Sequence, residues 1–207
     1  MRLAAFLLLI VGSPALAQLN ALPNGDFDVD VSGWTYAGPA SGSIAWEAVE
    51  GDPVAGSLRL STPAPVVGDA FQARSATCVA VGWGETWTAE AKIKHVVGLG
   101  CSLQMLVFPT ADCTGEEGGI EPLATGGQLG VWTPAAQTDV AAWSWGNSIS
   151  VRLLLGSQAG SASCLFDSVR LYRSATASVV DVPATDTLGS ALLVLFLATA
   201  GIAFLRR

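Results

Sequence analysis

The chain has 207 residues, of which 51% are hydrophobic, and its formal net charge at pH 7 is −7. Residues 18–180 contain seven Lys or Arg against 15 Asp or Glu, a balance that disfavours nucleic acid and anionic lipid as partners. One histidine and four scattered cysteines without a C-x-x-C pair also disfavour a sulfur-ligated zinc site.

The N-terminal segment, residues 1–17, has the pattern of a secretory signal peptide. Arg2 precedes the apolar run 4–11, and a small-residue ending fits an A-x-A cleavage site before Gln18. An uncleaved anchor is the less favoured alternative, because the apolar run is short for a membrane span and Pro14 follows it. We therefore expect residues 18–173 to form one exported domain, which is long enough to bury a core.

Short strands separated by Gly, Pro and Asp fill this domain, and no window in it has a convincing helical period. Residues 87–94 alternate strictly, with Trp87, Ala89, Ala91 and Ile93 on one face. The predicted strands are 42–48, 57–61, 71–81, 87–94, 101–108, 130–138, 148–155 and 165–172. This pattern predicts an all-β fold in which two antiparallel sheets pack as a jelly-roll sandwich.

The C-terminal tail has the composition of a membrane anchor. Residues 174–187 form a small-residue linker with a short polar motif, and residues 188–205 form an uncharged apolar run that ends at Arg206 and Arg207. At about 1.5 Å per residue this run is just long enough to cross a hydrocarbon core of about 27 to 30 Å. We expect a transmembrane helix with the two arginines on the cytoplasmic side.

All four cysteines, Cys78, Cys101, Cys113 and Cys164, lie in the exported domain. An even number of cysteines in an oxidising compartment favours two disulfides. The residues alone leave all three possible connectivities open.

The seven tryptophans are candidates for sugar binding, because pyranose rings stack on exposed aromatic faces. Trp143 and Trp145 share one side of an extended segment, and Trp83 stands in a loop between two glycines. We predict that these three form an exposed stacking platform, with a packing or loop-covering role as the alternative. Trp46 alternates with Ile44, which predicts a position in the core.

Five motifs follow one another through the domain in a recognisable order. They are 22–28 (LPNGDFD) with 32–34 (SGW), 55–60 (AGSLRL), 78–79 (CV) before 84–87 (GETW), 111–115 (ADCTG) and 166–171 (FDSVRL). In this order they resemble carbohydrate-binding-module jelly rolls of the CenC type, which are related to galactose-binding-like domains. The resemblance covers essentially the whole exported domain and implies buried aromatic positions at Trp34, Trp87 and Trp132.

The resemblance also implies a structural Ca²⁺ that ties the N-terminal segment to the last strand. The matching ligands are the carboxylates of Asp28, Asp52 and Asp167 and the backbone carbonyls of Asp26 and Ala55, all of them oxygen donors of the kind that calcium prefers. Asp167 alternates with Val169 and Leu171, so in a regular strand we expect its side chain to point inward with theirs. A buried carboxylate is costly unless a partner compensates its charge. The alternative is that Asp167 accepts hydrogen bonds from the 24–28 turn with no ion present.

A disulfide pairing follows from the same resemblance, in which cysteines like Cys78 and Cys113 often occur together. This implies Cys78 with Cys113 and leaves Cys101 with Cys164. The sequence contains no Gly-x-Ser-x-Gly, His-Glu-x-x-His or Walker motif, so we predict a protein that is not an enzyme.

Two groups of titratable residues receive a non-catalytic interpretation. Glu116, Glu117 and Glu121 lie in a glycine-rich stretch and are predicted to form a solvated acidic loop, and His95 is predicted to be a polar strand-end residue. The predicted function is glycan binding or adhesion, with an envelope polysaccharide as partner. The alternatives are a structural envelope or matrix protein without sugar binding and, more weakly, a small glycan-active hydrolase.

The tail carries a second resemblance. Its order of motif 182–185 (VPAT), apolar helix and basic pair resembles the C-terminal sorting signals of exosortase-type systems in Gram-negative bacteria, particularly the Ile-Pro-Thr-Leu kind. The resemblance implies an exosortase-like sorting protease as partner and a place in the cell envelope or on the surface. The domain would then be either membrane-anchored or released after processing, and a permanent single-span anchor is the alternative.

Overall fold

The computed structural model describes residues 19–66, 71–98, 100–141, 145–156 and 159–174. Within these ranges it contains β1 (Trp34–Ala37), β2 (Ser43–Glu47), β3 (Ser57–Thr62), β4 (Gln72–Ser75), β5 (Val79–Ala80), β6 (Thr86–Val97), β7 (Cys101–Phe108), β8 (Gly118–Gly119), β9 (Ala124–Thr125), β10 (Thr133–Ala141), β11 (Ser148–Leu155) and β12 (Ala162–Arg173). In this part of the chain no helix is long and apolar enough to cross a membrane. The predicted signal peptide 1–17 and transmembrane helix 188–205 lie outside the described residues.

The strands form two antiparallel sheets. The larger sheet has the order β1-β4-β11-β7-β8, with β5 paired to β11 and β9 paired to β7. The second sheet has the order β10-β6-β12-β3-β2. The predicted all-β, two-sheet antiparallel sandwich is therefore confirmed.

The predicted strands correspond to observed ones with small shifts. The strands predicted at 101–108 and 148–155 are β7 and β11 with the same bounds, whereas the one predicted at 71–81 is divided into β4 and β5. Alternation correctly placed Trp87, Ala89 and Ile93 in the core. The very short β1, β8 and β9 were not predicted, because two to four residues carry too little periodicity.

A bulge in β12 changes the orientation of Asp167. The pairing of β12 with β6 shifts register between Asp167 and Arg170, and Ser168 has a positive φ of 49°. Phe166 and Val169 both enter the core as a result. Asp167 is buried, as predicted, at 2% exposure, but the bulge removes it from the core-facing side that Val169 occupies, and it lines a cavity beside the five-stranded sheet.

Two disulfides link Cys78 with Cys113 and Cys101 with Cys164, the pairing that the family resemblance implied. Cys101 begins β7 and Cys164 lies in β12, so this bond joins the two sheets through the buried core. Cys78 and Cys113 are only partly buried, and their bond ties the turn after β7 to the segment before β5.

Candidate functional site

Three long polar side chains stand side by side on the seven-stranded sheet. Arg152 on β11 lies directly opposite Arg74 on β4 and Gln104 on β7. The alternate residues Ile149, Val151 and Leu153 of β11 fill the core, so Arg152 points to the outer face of this sheet. Two arginines opposite each other repel, and an anion between them offsets this repulsion.

Glu117 supplies that anion. Its two carboxylate oxygens accept from Arg74 Nη1 at 2.7 Å and Nη2 at 2.8 Å, and Oε1 also accepts from Arg152 Nη1 at 3.2 Å. Arg152 Nε donates to Gln104 Oε1 at 2.7 Å, and Gln104 Nε2 donates to Glu121 Oε1 at 3.0 Å. Glu117 is thus held in an ion-pair network, so its interpretation as a solvated loop residue was wrong, whereas Glu116 and Glu121 are exposed as predicted.

A cavity of about 500 Å³ adjoins this network. It is lined by Pro109, Glu116, Glu117, Gly118 and Trp145. Trp145 is 43% exposed, so the cavity lining combines an accessible aromatic residue with two acidic residues. The volume lies within the range of about 300 to 1,000 Å³ that is usual for small-ligand sites.

Hydrogen bonds fix both walls of this cavity. Asn147, two residues after Trp145, donates from its backbone N to the Phe108 carbonyl at 2.8 Å. The loop that carries Glu116 and Glu117 follows Cys113, whose disulfide and whose backbone N donating to Ser148 Oγ at 3.2 Å hold the turn. These bonds therefore hold in place the segments that carry the lining residues of the cavity.

The other two predicted platform residues are not brought into this cavity. Trp83 is 84% exposed in the turn between β5 and β6 and does not line the cavity, although Val81 N donates to the Asn147 carbonyl at 3.0 Å. That bond places the Trp83 turn at the same end of the sandwich as Trp145. Trp143 lies outside the described residues.

A larger cavity of about 600 Å³ runs between residues 120–123 and 136–141. None of these lining residues is aromatic, so this cavity has no surface on which a sugar ring can stack. The smaller cavity, in contrast, has the aromatic residue Trp145 in its lining.

A separate acidic cavity of about 220 Å³ contains three of the residues predicted to bind calcium. Asp26, Asp28 and Asp167 line it, together with Arg170. Asp167 is only 2% exposed, and its carboxylate accepts from the backbone N of Asp52 at 2.6 Å and of Ser168 at 2.5 Å. These bonds join the loop before β3 to the bulge in β12.

The electrostatics of Asp167 reflect this position. Burial raises the pKa of Asp167 to about 6, the two backbone N–H donors oppose the rise, and the charges of Asp26 and Asp28 add to it. The Asp52 carboxylate lies 3.3 Å from Lys92 Nζ, and Asp52 lines a neighbouring cavity. Ala55 lines neither the acidic cavity nor this neighbouring one.

The fit to calcium is partial. Three carboxylates around one cavity are the oxygen donors that Ca²⁺ prefers, and their mutual repulsion favours a cation between them. Within the described ranges, however, no group of three or more His, Cys, Asp or Glu side chains has the arrangement of a metal site. Asp26, Asp28 and Asp167 are the residues that would hold the ion, and Asp26 and Asp28 are exposed at the surface.

Sequence reasoning missed the arginine network and misplaced two other residues. Arg152 occupies an outward position of a correctly predicted strand. Its alternation with inward residues was the one sequence signal that could have indicated its place on the outer face. Trp46 was expected in the core but is 42% exposed, with Nε1 donating to the Phe27 carbonyl at 2.8 Å. His95 was expected at a polar strand end but is buried, with Nε2 accepting from Cys101 N at 3.3 Å.

Comparison with known proteins gives a likeness at the level of the fold. No family model matches the chain, and no curated protein matches it. A solved structure described as a study of CBM4 structure and function has a TM-score of 0.54 and 13% identity over 73% of this chain and 99% of that one.

Two further structures come from a Clostridium thermocellum xylanase. Its C-terminal family 22 carbohydrate-binding module has a TM-score of 0.53 and 14% identity, covering 73% of this chain and 93% of that one. The N-terminal CBM22-1 and GH10 modules, complexed with xylohexaose, have a TM-score of 0.54 and 17% identity, but this chain covers only 28% of their length. The fold of the described domain is therefore the jelly roll of carbohydrate-binding modules.

Proposed function

We propose that the domain is a non-catalytic glycan-binding module whose site is the cavity beside Trp145. The observation that carries this proposal is that the partly exposed Trp145 lines the same cavity as Glu116 and Glu117. The ring supplies an apolar stacking face and the carboxylates accept hydrogen bonds from sugar hydroxyls. Fold likeness to carbohydrate-binding modules supports the same class of ligand.

In this proposal the arginine network holds the Glu117 carboxylate in a fixed orientation before a ligand binds. Arg74 binds Glu117 in a bidentate manner, so the carboxylate is already oriented before a ligand arrives. A site whose groups are fixed loses less side-chain entropy on binding. The two guanidinium groups also engage both oxygens of Glu117, which disfavours its use as a general acid or nucleophile.

The test is a glycan array followed by calorimetry with the full chain and Trp145→Ala. Burial of an aromatic side chain contributes about 1.5 to 3 kcal/mol, so we expect the variant to bind at least about tenfold more weakly. Trp83→Ala is the matched comparison, since it removes an exposed tryptophan that does not line the cavity. Its glycan affinity shows whether the stacking platform extends beyond the cavity. Failure to bind any glycan, or equal affinity of Trp145→Ala and the wild type, would contradict the proposal.

We also propose a structural Ca²⁺ at Asp26, Asp28 and Asp167. The ion would offset the repulsion among these carboxylates and join the N-terminal segment to β12. Calcium is expected to raise the melting temperature of the wild type above its value in EDTA, and not that of Asp167→Asn. Asp139→Asn, at an exposed aspartate outside this cavity, is the control and should respond as the wild type does.

Export and envelope attachment complete the proposal. The signal-peptide pattern of residues 1–17 and the sorting-signal resemblance of the tail support delivery to the cell envelope of a Gram-negative bacterium. Mass spectrometry of the mature protein tests both ends. We expect an N-terminus at Gln18, and an intact Arg207 would exclude C-terminal processing.

A further inference from the structure

The four outer strands of the two sheets differ in how well they are protected against pairing with another chain. An unprotected edge presents unpaired backbone N–H and C=O groups, and proteins usually shorten, bulge or interrupt such strands. Within the described ranges the edges are β1 and β8 in one sheet and β10 and β2 in the other.

Three of these edges are protected. β8 has only two residues, both glycine. β10 contains Pro134 and a register shift between Gln137 and Val140, where Asp139 has a positive φ of 53°. β1 has four residues, its Trp34 is buried, and a turn at Gly38 and Pro39 follows it.

β2 lacks the glycine, proline and register-shift protections of β8 and β10. Its residues Ser43–Glu47 pair with β3 in a continuous register without a bulge, and they include no Pro, Gly or Lys. Trp46 on this strand is 42% exposed, and Val49, two residues after the strand ends at Glu47, is 80% exposed. An aromatic side chain at an open, regular strand edge is a surface suited to strand addition.

We propose that β2 is the contact surface of a homodimer, in which two copies pair their β2 strands antiparallel about Ala45. In that register Ser43 lies opposite Glu47 of the other copy, Ile44 opposite Trp46, and Ala45 opposite itself. Each pair is then favourable or neutral, because Ser donates to carboxylate and a β-branched residue packs on an aromatic ring. The pairing joins two five-stranded sheets into one.

Charge and size support this choice of occupant. Glu47 is already paired with Arg59 at 2.5 Å and faces serine across the two-fold axis, so no like charges meet in the paired strands. The strand offers five residues a side, fewer than the roughly 20 to 30 residues of a standard stable interface. We therefore infer a weak, concentration-dependent dimer. If the proposed glycan site is correct, two sites on one dimer increase avidity for a polymeric ligand.

The test uses the two-fold symmetry at Ala45 and does not involve sugar. Ala45→Cys places two thiols opposite each other only in the proposed register, and no native cysteine among the described residues is free to compete. Under mild oxidation we expect the full chain with Ala45→Cys to cross-link at least about tenfold faster than Ala136→Cys, a matched exposed alanine on the protected edge β10.

Sedimentation velocity over a wide concentration series gives the second readout. Ala45→Glu places two carboxylates across the axis and should shift the wild-type monomer–dimer equilibrium toward monomer, while Ala136→Glu should not. Because Ala45 is exposed and lies opposite Arg59, Ala45→Glu is compatible with the monomer fold. Equal cross-linking of the two cysteine variants, or a wild-type chain that is monomeric throughout the series, would overturn the proposal.

Discussion

Arg74 and Arg152 lie directly opposite each other on β4 and β11, and their guanidinium groups share the carboxylate of Glu117. Their exposure differs, with 32% of the Arg74 side chain and 10% of the Arg152 side chain accessible. Solvent screens an exposed ion pair more than a buried one. We therefore expect the pair of Glu117 with Arg152 to contribute more to stability than its pair with Arg74.

This difference predicts unequal effects of the same substitution. Arg152→Met should lower the free energy of unfolding by about 2 to 3 kcal/mol, since it removes a charged donor from buried Gln104 as well as from Glu117. Arg74→Met should lower it less, by about 1 to 2 kcal/mol, because its ion pair with Glu117 is more exposed although it also removes the Nε donor of Gln72 Oε1. Urea unfolding at pH 7 measures both values, and equal losses would contradict the exposure argument.

Asp167 predicts a pH dependence of stability in the presence of EDTA. Its pKa of about 6 in the folded chain lies above the ordinary 3.8, so the folded state binds this proton more tightly than the unfolded state. Stability should therefore fall as the pH rises from about 4 to about 6, by at most about 3 kcal/mol. Asp167→Asn should remove this slope in denaturant titrations, and an unchanged slope would show that other groups cause it.

The burial of His95 predicts that stability falls as the pH decreases, which is the opposite of the pH dependence expected from Asp167. Burial lowers the pKa of His95 below 6.5, and Nδ1 has no hydrogen-bond partner among the described residues. The folded state therefore disfavours the charged imidazole, and its stability should fall as the pH drops through and below 6.5. His95→Gln retains an acceptor for Cys101 N and should flatten the curve, which is best measured in the Asp167→Asn background.

The two disulfides should differ in their rate of reduction. Cys101 and Cys164 are buried, whereas Cys78 and Cys113 are partly exposed, and thiol–disulfide exchange requires access to a sulfur. Under native conditions with a small thiol, we expect Cys78 and Cys113 to be alkylated first. Peptide mapping over time measures the order, and simultaneous labelling of all four cysteines would contradict it.

Loss of the buried bond has a predictable thermodynamic effect. Cys101 and Cys164 are separated by 63 residues, and cross-linking a loop of this length restricts the unfolded chain by about 4 kcal/mol. Replacement of both cysteines by alanine should lower the free energy of unfolding by about that amount. Calorimetry of the double variant against the wild type provides the measurement.

The alternation of apolar residues was sufficient to predict β6, β7 and β11, because each is long and buries one face in the core. The local pattern predicted the burial of Asp167 but not its place in a cavity lining, since a single bulge changes which residues share the core-facing side. Nor could it join Glu117 to Arg152, which are 35 residues apart and meet only through the pairing of non-adjacent strands. Sequence indicated Trp145 by its residue type, but its carboxylate neighbours are a product of tertiary structure.

The bond between Cys101 and Cys164 also has a mechanical consequence. Strand β7 carries Gln104 of the network behind the proposed sugar site, and β12 is the last strand among the described residues. If the C-terminus is tethered as proposed, tension between it and a held ligand would otherwise pass between the sheets only through side-chain packing and the backbone connections, such as the one from β11 to β12. With this disulfide it passes through a covalent link, so the sheets cannot be pulled apart at that point while the bond is intact.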